Sequence, residues 1–315
     1  MKVYINRKPI TGPWGGGNKT VAALSEKLQQ NGHDVVYRLC DDIDIIFCFD
    51  PRSNNIGEWY HHLFDYKMRH GAKIIQRVGD LGTHGKPDLT ELVKQSTKFS
   101  DFLIFPSEWA RNYLKYSEDN CAVINNSPLK DFYNNRNIEH PKTETIKVVS
   151  HHWSPNIKKG FKYYKFLEQY IVEKNAKIKF TYIGATPPGL KFESPTNYYE
   201  PIGDNKAISE LISQNDIYLT ASEEEAGANH VLEALACGLP VVYHKNGGSI
   251  VDYCKDYGIG YDSYDSMIDS LNKVFENYEH FKKNVLKYTK TIDDVISEYI
   301  AVSYTHLTLP TIYSV

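Results

Sequence analysis

The sequence has few cysteines, no long hydrophobic run and no excess of basic residues. Its five cysteines are odd in number and widely spaced, and none forms a C-x-x-C pair, which argues against a disulfide scaffold or a structural zinc site. The longest apolar run, Ile45 to Phe49, is far too short to cross a bilayer, and the N-terminus has no apolar signal-peptide core. We therefore expect a cytoplasmic protein, free in solution or peripheral to a membrane, with no transmembrane segment.

A surplus of basic charge is also missing. Lys and Arg number 36 against 39 Asp and Glu, which gives a net charge of −3. A broad basic face for a phosphate backbone is therefore not expected, and we predict no nucleic-acid partner. The shares of hydrophobic (41%) and charged (24%) residues are typical of a globular protein.

Charge is absent altogether from the segment 302–315, although a charged share of 24% predicts about three such residues there. The string VSYTHLTLPT resembles a translated sequencing adapter. We therefore interpret 302–315 as an artefact tail and leave it out of the fold argument. A native C-terminal strand is the alternative interpretation.

The remaining chain is long enough for about two domains. Short β-rich runs alternate with amphipathic stretches along its length, a pattern typical of parallel sheets wrapped by helices. The polar stretch 134–144 resembles a linker, so we predict one Rossmann-like domain at 1–144 and a second at 145–301. The expected fold class is α/β, with two doubly wound domains facing a cleft.

Two predicted strand-to-helix turns carry residues suited to an anion. The first is glycine-rich and includes Gly15, Gly16 and Gly17, whose backbone N–H groups would face a ligand at a helix N-terminus. It matches neither G-x-G-x-x-G nor G-x4-G-K-[ST], and a plain tight turn is the alternative. The second places Lys159 beside Gly160 at a helix start, where a mobile positive charge and backbone donors suit a diphosphate.

A third motif runs from Glu223 to Pro240 and combines carboxylates with a helix N-terminus. Glu225 should lie just before the helix and Glu233 within it. Gly227, Ala228 and Asn229 lie at the predicted helix start, where a phosphate could bind while the carboxylates accept hydrogen bonds from hydroxyls. This combination suits a nucleotide sugar, and a solvated acidic patch at a helix end is the alternative.

The third motif resembles the E-x7-E signature of retaining glycosyltransferases of the GT-B fold, in particular glycosyltransferase family 4, including the string E-A-x-A-C-G-x-P-V-V. The first two motifs fall where that family has its glycine loop and its phosphate-binding lysine. Asn125 and Asn126, ahead of Asp131, resemble the segment that ends the family's N-terminal domain. The resemblance covers residues 1 to about 260, and it implies a crossover helix near 287–301.

The resemblance implies a metal-independent enzyme that uses a nucleoside diphosphate sugar as donor substrate and needs no cofactor. The acceptor would be a saccharide, a lipid-linked molecule or a protein. Glu225 would accept hydrogen bonds from the donor sugar and Glu233 from the ribose, while Lys159 would neutralise the leaving diphosphate. In the first domain, His84 or Asp80 would contact the donor sugar.

One position departs from the family pattern. The family has an arginine five residues before the lysine, and this sequence has Ser154, which we keep among the donor-binding candidates. Lys158, Lys19 or His152 would then supply the missing positive charge. Asp42-Ile43-Asp44 matches the D-x-D of metal-dependent transferases, but so short a motif often occurs by chance.

Other functions stay open at this point. A GT-B-like epimerase or hydrolase would use the same cleft, and a non-catalytic protein that binds nucleotide sugars would explain Ser154. A nicotinamide dehydrogenase is disfavoured because G-x-G-x-x-G with its acidic partner is missing.

Overall fold

The computed structural model describes residues 1–10, 16–136 and 143–307. The chain divides into two compact units: Met1–Asn126 together with the segment that begins at Ile292, and Ser127–Thr291. Within the described ranges, no helix combines the length and the apolar character that crossing a membrane requires.

The first unit is built on a six-stranded sheet in which every neighbouring pair of strands is parallel. Its strands are β1 (Lys2–Ile5), β2 (Asp34–Val36), β3 (Ile45–Cys48), β4 (Lys73–Arg77), β5 (Phe102–Phe105) and β6 (Cys121–Val123), in the order β2-β1-β3-β4-β5-β6. Its first helices are α1 (Gly16–Gln30), α2 (Tyr60–His70), α3 (Pro87–Thr97) and α4 (Glu108–Tyr113). Strands β3 and β5 are buried at every position, as parallel sheets covered on both faces require.

The second unit repeats this architecture with a second parallel sheet. Its strands are β7 (Ile146–His152), β8 (Ile178–Gly184), β9 (Asn197–Tyr199), β10 (Ile217–Thr220), β11 (Val241–His244) and β12 (Gly258–Tyr261), in the order β12-β11-β10-β7-β8-β9. Its helices are α5 (Phe161–Glu173), α6 (Asn205–Ser213), α7 (Asn229–Ala236), α8 (Ser249–Cys254), α9 (Tyr264–Glu276) and α10 (Tyr278–Val285). The predicted α/β fold class, with two doubly wound parallel sheets, is confirmed.

The last helix, α11 (Ile292–Leu307), groups with the first unit, where it packs against α1. Tyr299 in α11 is fully buried, and its hydroxyl accepts a hydrogen bond from Arg77 Nε at 3.2 Å. Residues 302–307 of the expected artefact tail continue this helix, and residues 308–315 lie outside the described part of the chain.

The boundary between the units differs from the expected position at residue 144. The structure assigns residues 127–136 to the second unit. Phe132 is fully buried in that unit's core, the Tyr133 hydroxyl donates to the Lys290 carbonyl at 2.7 Å, and Arg136 Nη2 donates to the Leu286 carbonyl at 2.9 Å. These contacts attach the start of the polar stretch to the second unit, so residue 144 lies inside that unit.

Candidate functional site

The candidate site of the second unit lies at the carboxyl ends of β7 and β10. The strand order reverses between these two neighbours, because β8 and β9 lie on one side and β11 and β12 on the other. Helix α5, which follows β7, packs with α9 on one face of the sheet, and α7, which follows β10, packs with α6 and α8 on the other. Open α/β sheets bind ligands in the crevice at such a switch point.

A tight turn after β7 fixes the backbone of Lys159. The Asn156 side chain accepts a hydrogen bond from the Lys158 N–H at 2.9 Å and caps a single turn of 3-10 helix, Ile157–Lys159. Gly160 follows with φ 76°, and a Cβ at this position would lie 2.2 Å from the Ala221 carbonyl oxygen. A glycine is therefore required where the turn packs against the end of β10.

The loop between β10 and α7 fixes Glu225. The Glu225 N–H donates to the Gly247 carbonyl at 3.3 Å, and its carbonyl accepts from the Ser249 N–H at 2.9 Å, so Glu225 forms a short parallel bridge with Gly248. Its neighbour Glu224 has a φ of 54°, a left-handed conformation that redirects the chain at this point.

These two loops bring Lys159 and Glu225 into contact. Lys159 Nζ lies 2.5 Å from Glu225 Oε1, and the two side chains are only 12% and 13% exposed. The contact joins residues 66 positions apart, one after β7 and the other before α7. A lysine and a carboxylate so placed can engage a phosphate and a hydroxyl of the same ligand.

Glu233 is held by a second buried contact. Its Oε2 lies 2.8 Å from Nε2 of His151, the second-last residue of β7. The other ring nitrogen, Nδ1, lies 3.0 Å from the hydroxyl of Tyr218 in β10. Thus the two glutamates of the E-x7-E pattern each contact a residue from β7 or from the turn that follows it.

His230, in the first turn of α7, lies beside this group. Its Nε2 is 3.0 Å from Thr220 Oγ1, and its ring is close to those of His151 and His152. Desolvation, together with the positive charge of Lys159, lowers the pKa of His230 to about 3. His230 is therefore neutral at physiological pH. Among the residues that the structure describes, no three His, Cys, Asp or Glu side chains are arranged to hold a metal ion.

The other donor candidates of the second unit lie around this centre. Asn229 begins α7, Gly227 lies in the bend before it, and the Ala228 N–H donates to Ser249 Oγ at 3.0 Å. The exposed Ser154 accepts a long hydrogen bond from the Asn156 N–H at 3.3 Å through its Oγ, so it shapes the turn.

Lys158, one of the candidates for the missing positive charge, is paired elsewhere. Its Nζ contacts Glu224 Oε2 at 2.7 Å. It also lines a groove of about 960 Å³ beside α5, whose wall includes Lys162 and the Pro187-Pro188 loop.

The candidates of the first unit lie at the carboxyl ends of its strands. Gly16 begins α1, and Gly17 follows in its first turn, with open space where a Cβ would lie. His84 lies in a turn before α3, and the neighbouring Asp80 accepts hydrogen bonds from the Gly82 N–H and from Lys86 Nζ. Gly15 lies outside the described residues.

The D-x-D motif lies at the opposite end of the strands of the first sheet, away from these candidates. Asp42 and Asp44 precede β3 at its amino end, and Asp44 Oδ2 accepts a hydrogen bond from the Lys2 N–H at 2.7 Å. This contact gives Asp44 a structural role at the start of β1.

Sequence reasoning missed the side chains that support the glutamates. His151 is half of a histidine doublet that belongs to no recognised motif, and Tyr218 has no motif around it. The signal that was available is the position of the doublet at the end of a strand that leads into a predicted anion-binding turn.

Comparisons with known proteins bear on the family and on the fold. Residues 197–291, which include Glu225 and Glu233, match the sequence model of the family described as Glycosyl transferases group 1. No curated protein sequence matches the chain.

Three solved structures show the same fold over nearly the whole chain. The sucrose-phosphate synthase of Thermosynechococcus elongatus has a TM-score of 0.68 at 11% identity, covering 96% of this chain and 98% of that one. Anabaena HepE, solved with UDP-glucose, has a TM-score of 0.67 at 13% identity, with coverages of 98% and 99%. WaaG, a glycosyltransferase involved in lipopolysaccharide biosynthesis, has a TM-score of 0.65 at 15% identity, with coverages of 96% and 99%.

The two parallel sheets and the site at the switch point define the GT-B class of fold. The match of residues 197–291 to the Glycosyl transferases group 1 model, together with this fold, supports a glycosyltransferase.

Proposed function

We propose that this protein transfers a sugar, with retention of anomeric configuration and without a metal ion, from a nucleoside diphosphate sugar to an acceptor hydroxyl. The observation that carries the proposal is the contact of Lys159 with Glu225 at 2.5 Å, at the switch point of the second sheet. Glu233 in α7, with Gly227 and Asn229 at the start of that helix, completes the proposed donor site.

The chemistry assigns each charged group a task. Transfer breaks the bond between the anomeric carbon and a phosphate oxygen, while a bond forms from that carbon to the acceptor oxygen, whose proton passes to the departing phosphate oxygen. The electrons of the broken bond leave with the diphosphate, so negative charge develops there. Lys159 neutralises that charge, and Glu225 accepts hydrogen bonds from the sugar hydroxyls. Glu233 accepts hydrogen bonds from the ribose hydroxyls.

The first unit carries candidate residues of its own. The backbone around Gly16 and Gly17 begins α1 and can approach a phosphate closely, since the space over Gly17 is open. His84, in the loop after β4, is its candidate for hydrogen bonding a sugar hydroxyl.

The donor nucleotide is proposed from the solved relatives. HepE was solved with UDP-glucose and the pneumococcal O-GlcNAc transferase GtfA with UDP and GlcNAc. We therefore expect uridine diphosphate to bind this chain, with a saccharide, lipid-linked or protein acceptor. The five unpaired cysteines fit a reducing compartment, so we place the protein in the cytoplasm.

The test begins with binding. UDP, GDP and ADP are titrated calorimetrically into the protein, followed by the sugar derivatives of the nucleotide that binds best. Transfer is then followed on a panel of acceptors by NMR, which reports the anomeric configuration of the product, with and without EDTA. We expect nucleotide binding, a product with the donor's configuration and no effect of EDTA. An inverted product excludes retention, and loss of activity in EDTA that Mg²⁺ restores excludes a metal-independent reaction.

Release of free sugar without transfer to any acceptor would favour a hydrolase in place of a transferase.

A further inference from the structure

Glu233 is the end of a chain of three buried side chains from three different elements. The hydroxyl of Tyr218 in β10 contacts His151 Nδ1 at 3.0 Å, and Nε2 of the same imidazole contacts Glu233 Oε2 at 2.8 Å. The three residues are 0%, 8% and 9% exposed, respectively. The chain thus links the carboxylate on α7 to both strands at the switch point.

Tyr218 is itself fixed by three contacts to one residue. Besides the ring contact, its hydroxyl lies 3.1 Å from the His151 carbonyl oxygen and accepts from the His151 N–H at 3.2 Å. Burial raises the pKa of Tyr218 well above its ordinary value, so the hydroxyl stays protonated. The imidazole of His151 is therefore held in one orientation, with Nε2 directed at Glu233.

We infer that His151 and Tyr218 are positioning residues that orient Glu233 toward the ribose hydroxyls and make the site selective for ribonucleotides. The inference rests on the proposed function, in which Glu233 binds the ribose.

The physical reason is the geometry of a carboxylate as an acceptor. An ionised carboxylate has about four lone-pair positions on its two oxygens. A hydrogen bond from His151 to Oε2 fixes the plane of the group, so the remaining positions point in set directions. The acceptor oxygens of Glu233 are then already oriented before a ligand binds, so binding costs less conformational entropy. A similar effect is known at metal sites, where a hydrogen-bond partner of a metal-coordinating side chain fixes the orientation of that side chain.

A purely structural role is the competing explanation, since the same chain attaches α7 to the sheet. The two explanations differ in what a missing hydroxyl does. If the chain orients Glu233 toward ribose, its loss weakens only nucleotides that carry the 2′ and 3′ hydroxyls. If it only holds the fold together, its loss weakens every nucleotide equally.

The experiment compares UDP with 2′,3′-dideoxy-UDP by calorimetry in the wild type and three variants. We expect the wild type to prefer UDP at least tenfold. His151→Leu should lose about tenfold in UDP affinity and less than twofold in dideoxy-UDP affinity, whereas His151→Gln, which still donates to Glu233, should keep most of the preference. Tyr218→Phe should lose two- to fivefold, again only for UDP.

Two controls separate the orientation of Glu233 from a general effect on the packing of the fold. Tyr164→Phe removes another buried tyrosine hydroxyl, which lies 2.6 Å from His152 Nε2 and does not contact Glu233, so it should leave the preference for UDP unchanged. The double variant His151→Leu with Glu233→Gln should bind UDP no more weakly than Glu233→Gln alone, because residues that act through one another are not additive.

Each outcome decides the matter. Equal weakening of both nucleotides by His151→Leu and Tyr218→Phe overturns the inference, and so does a wild type that binds both equally, although the proposed function then survives. A wild type that binds no nucleoside diphosphate overturns the proposed function itself. If circular dichroism shows that His151→Leu does not fold, the smaller change Tyr218→Phe carries the test.

Discussion

The contact of Lys159 with Glu225 has a proposed role in catalysis and an expected role in stability, and variants of Lys159 allow the two effects to be measured separately. Two unit charges 2.5 Å apart attract by about 6 to 7 kcal/mol at an effective dielectric constant of about 20, before desolvation is subtracted. The side chains are 12% and 13% exposed, so part of that attraction is screened. We expect a net coupling of about 2 to 3 kcal/mol, within the range measured for close charge pairs.

The assay is a double-mutant cycle in chemical denaturation. Lys159→Met and Glu225→Gln should each lower the free energy of unfolding by about 2 to 3 kcal/mol, since Met removes the positive charge beside a buried carboxylate and Gln removes the negative charge beside a buried ammonium. The double variant should be no less stable than either single one. Lys162→Met is the matched control: its Nζ is 3.7 Å from Glu223 and 60% exposed, so the expected loss is at most about 0.5 kcal/mol.

Activity should respond far more strongly than stability. If Lys159 neutralises the leaving diphosphate as proposed, Lys159→Met should lower kcat/KM by about 10² to 10³, which corresponds to about 3 to 4 kcal/mol in the transition state. The Lys162 control should stay within about twofold of wild type, less than about 0.5 kcal/mol. Wild-type turnover in Lys159→Met would refute the reasoning, and so would a stability coupling below about 0.5 kcal/mol between Lys159 and Glu225.

Acidification should destabilise the protein through His230, whose pKa is lowered to about 3 by desolvation and by a nearby positive charge. The unfolded imidazole titrates near its ordinary pKa of about 6.5, so below that pH protons bind the unfolded state more readily than the folded one. The contribution of His230 to the free energy of unfolding is therefore complete above pH 6.5 and is lost as the pH falls toward 3. In denaturant titrations between pH 7 and pH 5, His230→Gln should lose about 1 to 2 kcal/mol less of its free energy of unfolding than the wild type. Equal losses in the two proteins would contradict the argument. Gly160→Ala should lower stability by at least about 3 kcal/mol, because strain at φ 76° adds to a clash 2.2 Å from a carbonyl oxygen. Gly189→Ala, with φ 82° and open space, should cost only about 1 kcal/mol, so equal melting temperatures of the two variants would exclude the clash. Gly17→Ala should leave stability unchanged or raise it by up to about 1 kcal/mol, yet it should weaken nucleotide binding in calorimetry if a phosphate approaches that backbone.

The sequence predicts strands well where every residue of the strand is buried. β5 (Phe102–Phe105) and β10 (Ile217–Thr220) are central strands, and their apolar runs predict the observed bounds. β9 (Asn197–Tyr199) was not predicted, because an exposed edge strand of three residues carries no apolar pattern.

The sequence does not predict β12 either, for a different reason. Its sequence Gly-Ile-Gly-Tyr opposes strand propensity, but a Cβ at Gly258 would lie 1.7 Å from the Val241 carbonyl oxygen. The glycine is required by the close approach of β11, which is a tertiary constraint that no local pattern reveals.

The site was predicted to the extent that its residues fall in motifs. Lys159, Glu225 and Glu233 could be named from glycine-flanked turns and a helix start, and the structure brings the first two together. Their roles toward a donor stay a proposal. The contact of His151 with Tyr218 could not be predicted, since it joins positions 67 apart and depends on the register that pairs Tyr218 with Val149 across β7 and β10.

The absence of an arginine at position 154 changes what Lys159 must do. Ser154 Oγ accepts from the Asn156 N–H and brings no charge, while Lys159 and Glu225 neutralise each other at 2.5 Å. A diphosphate that binds Lys159 therefore competes with Glu225 for its ammonium group. The sugar hydroxyls of a complete donor can then bind Glu225, whereas a free nucleoside diphosphate offers it nothing. The donor sugar should for this reason add directly to affinity, and the diphosphate product, which lacks that sugar, should leave the site more readily than the donor.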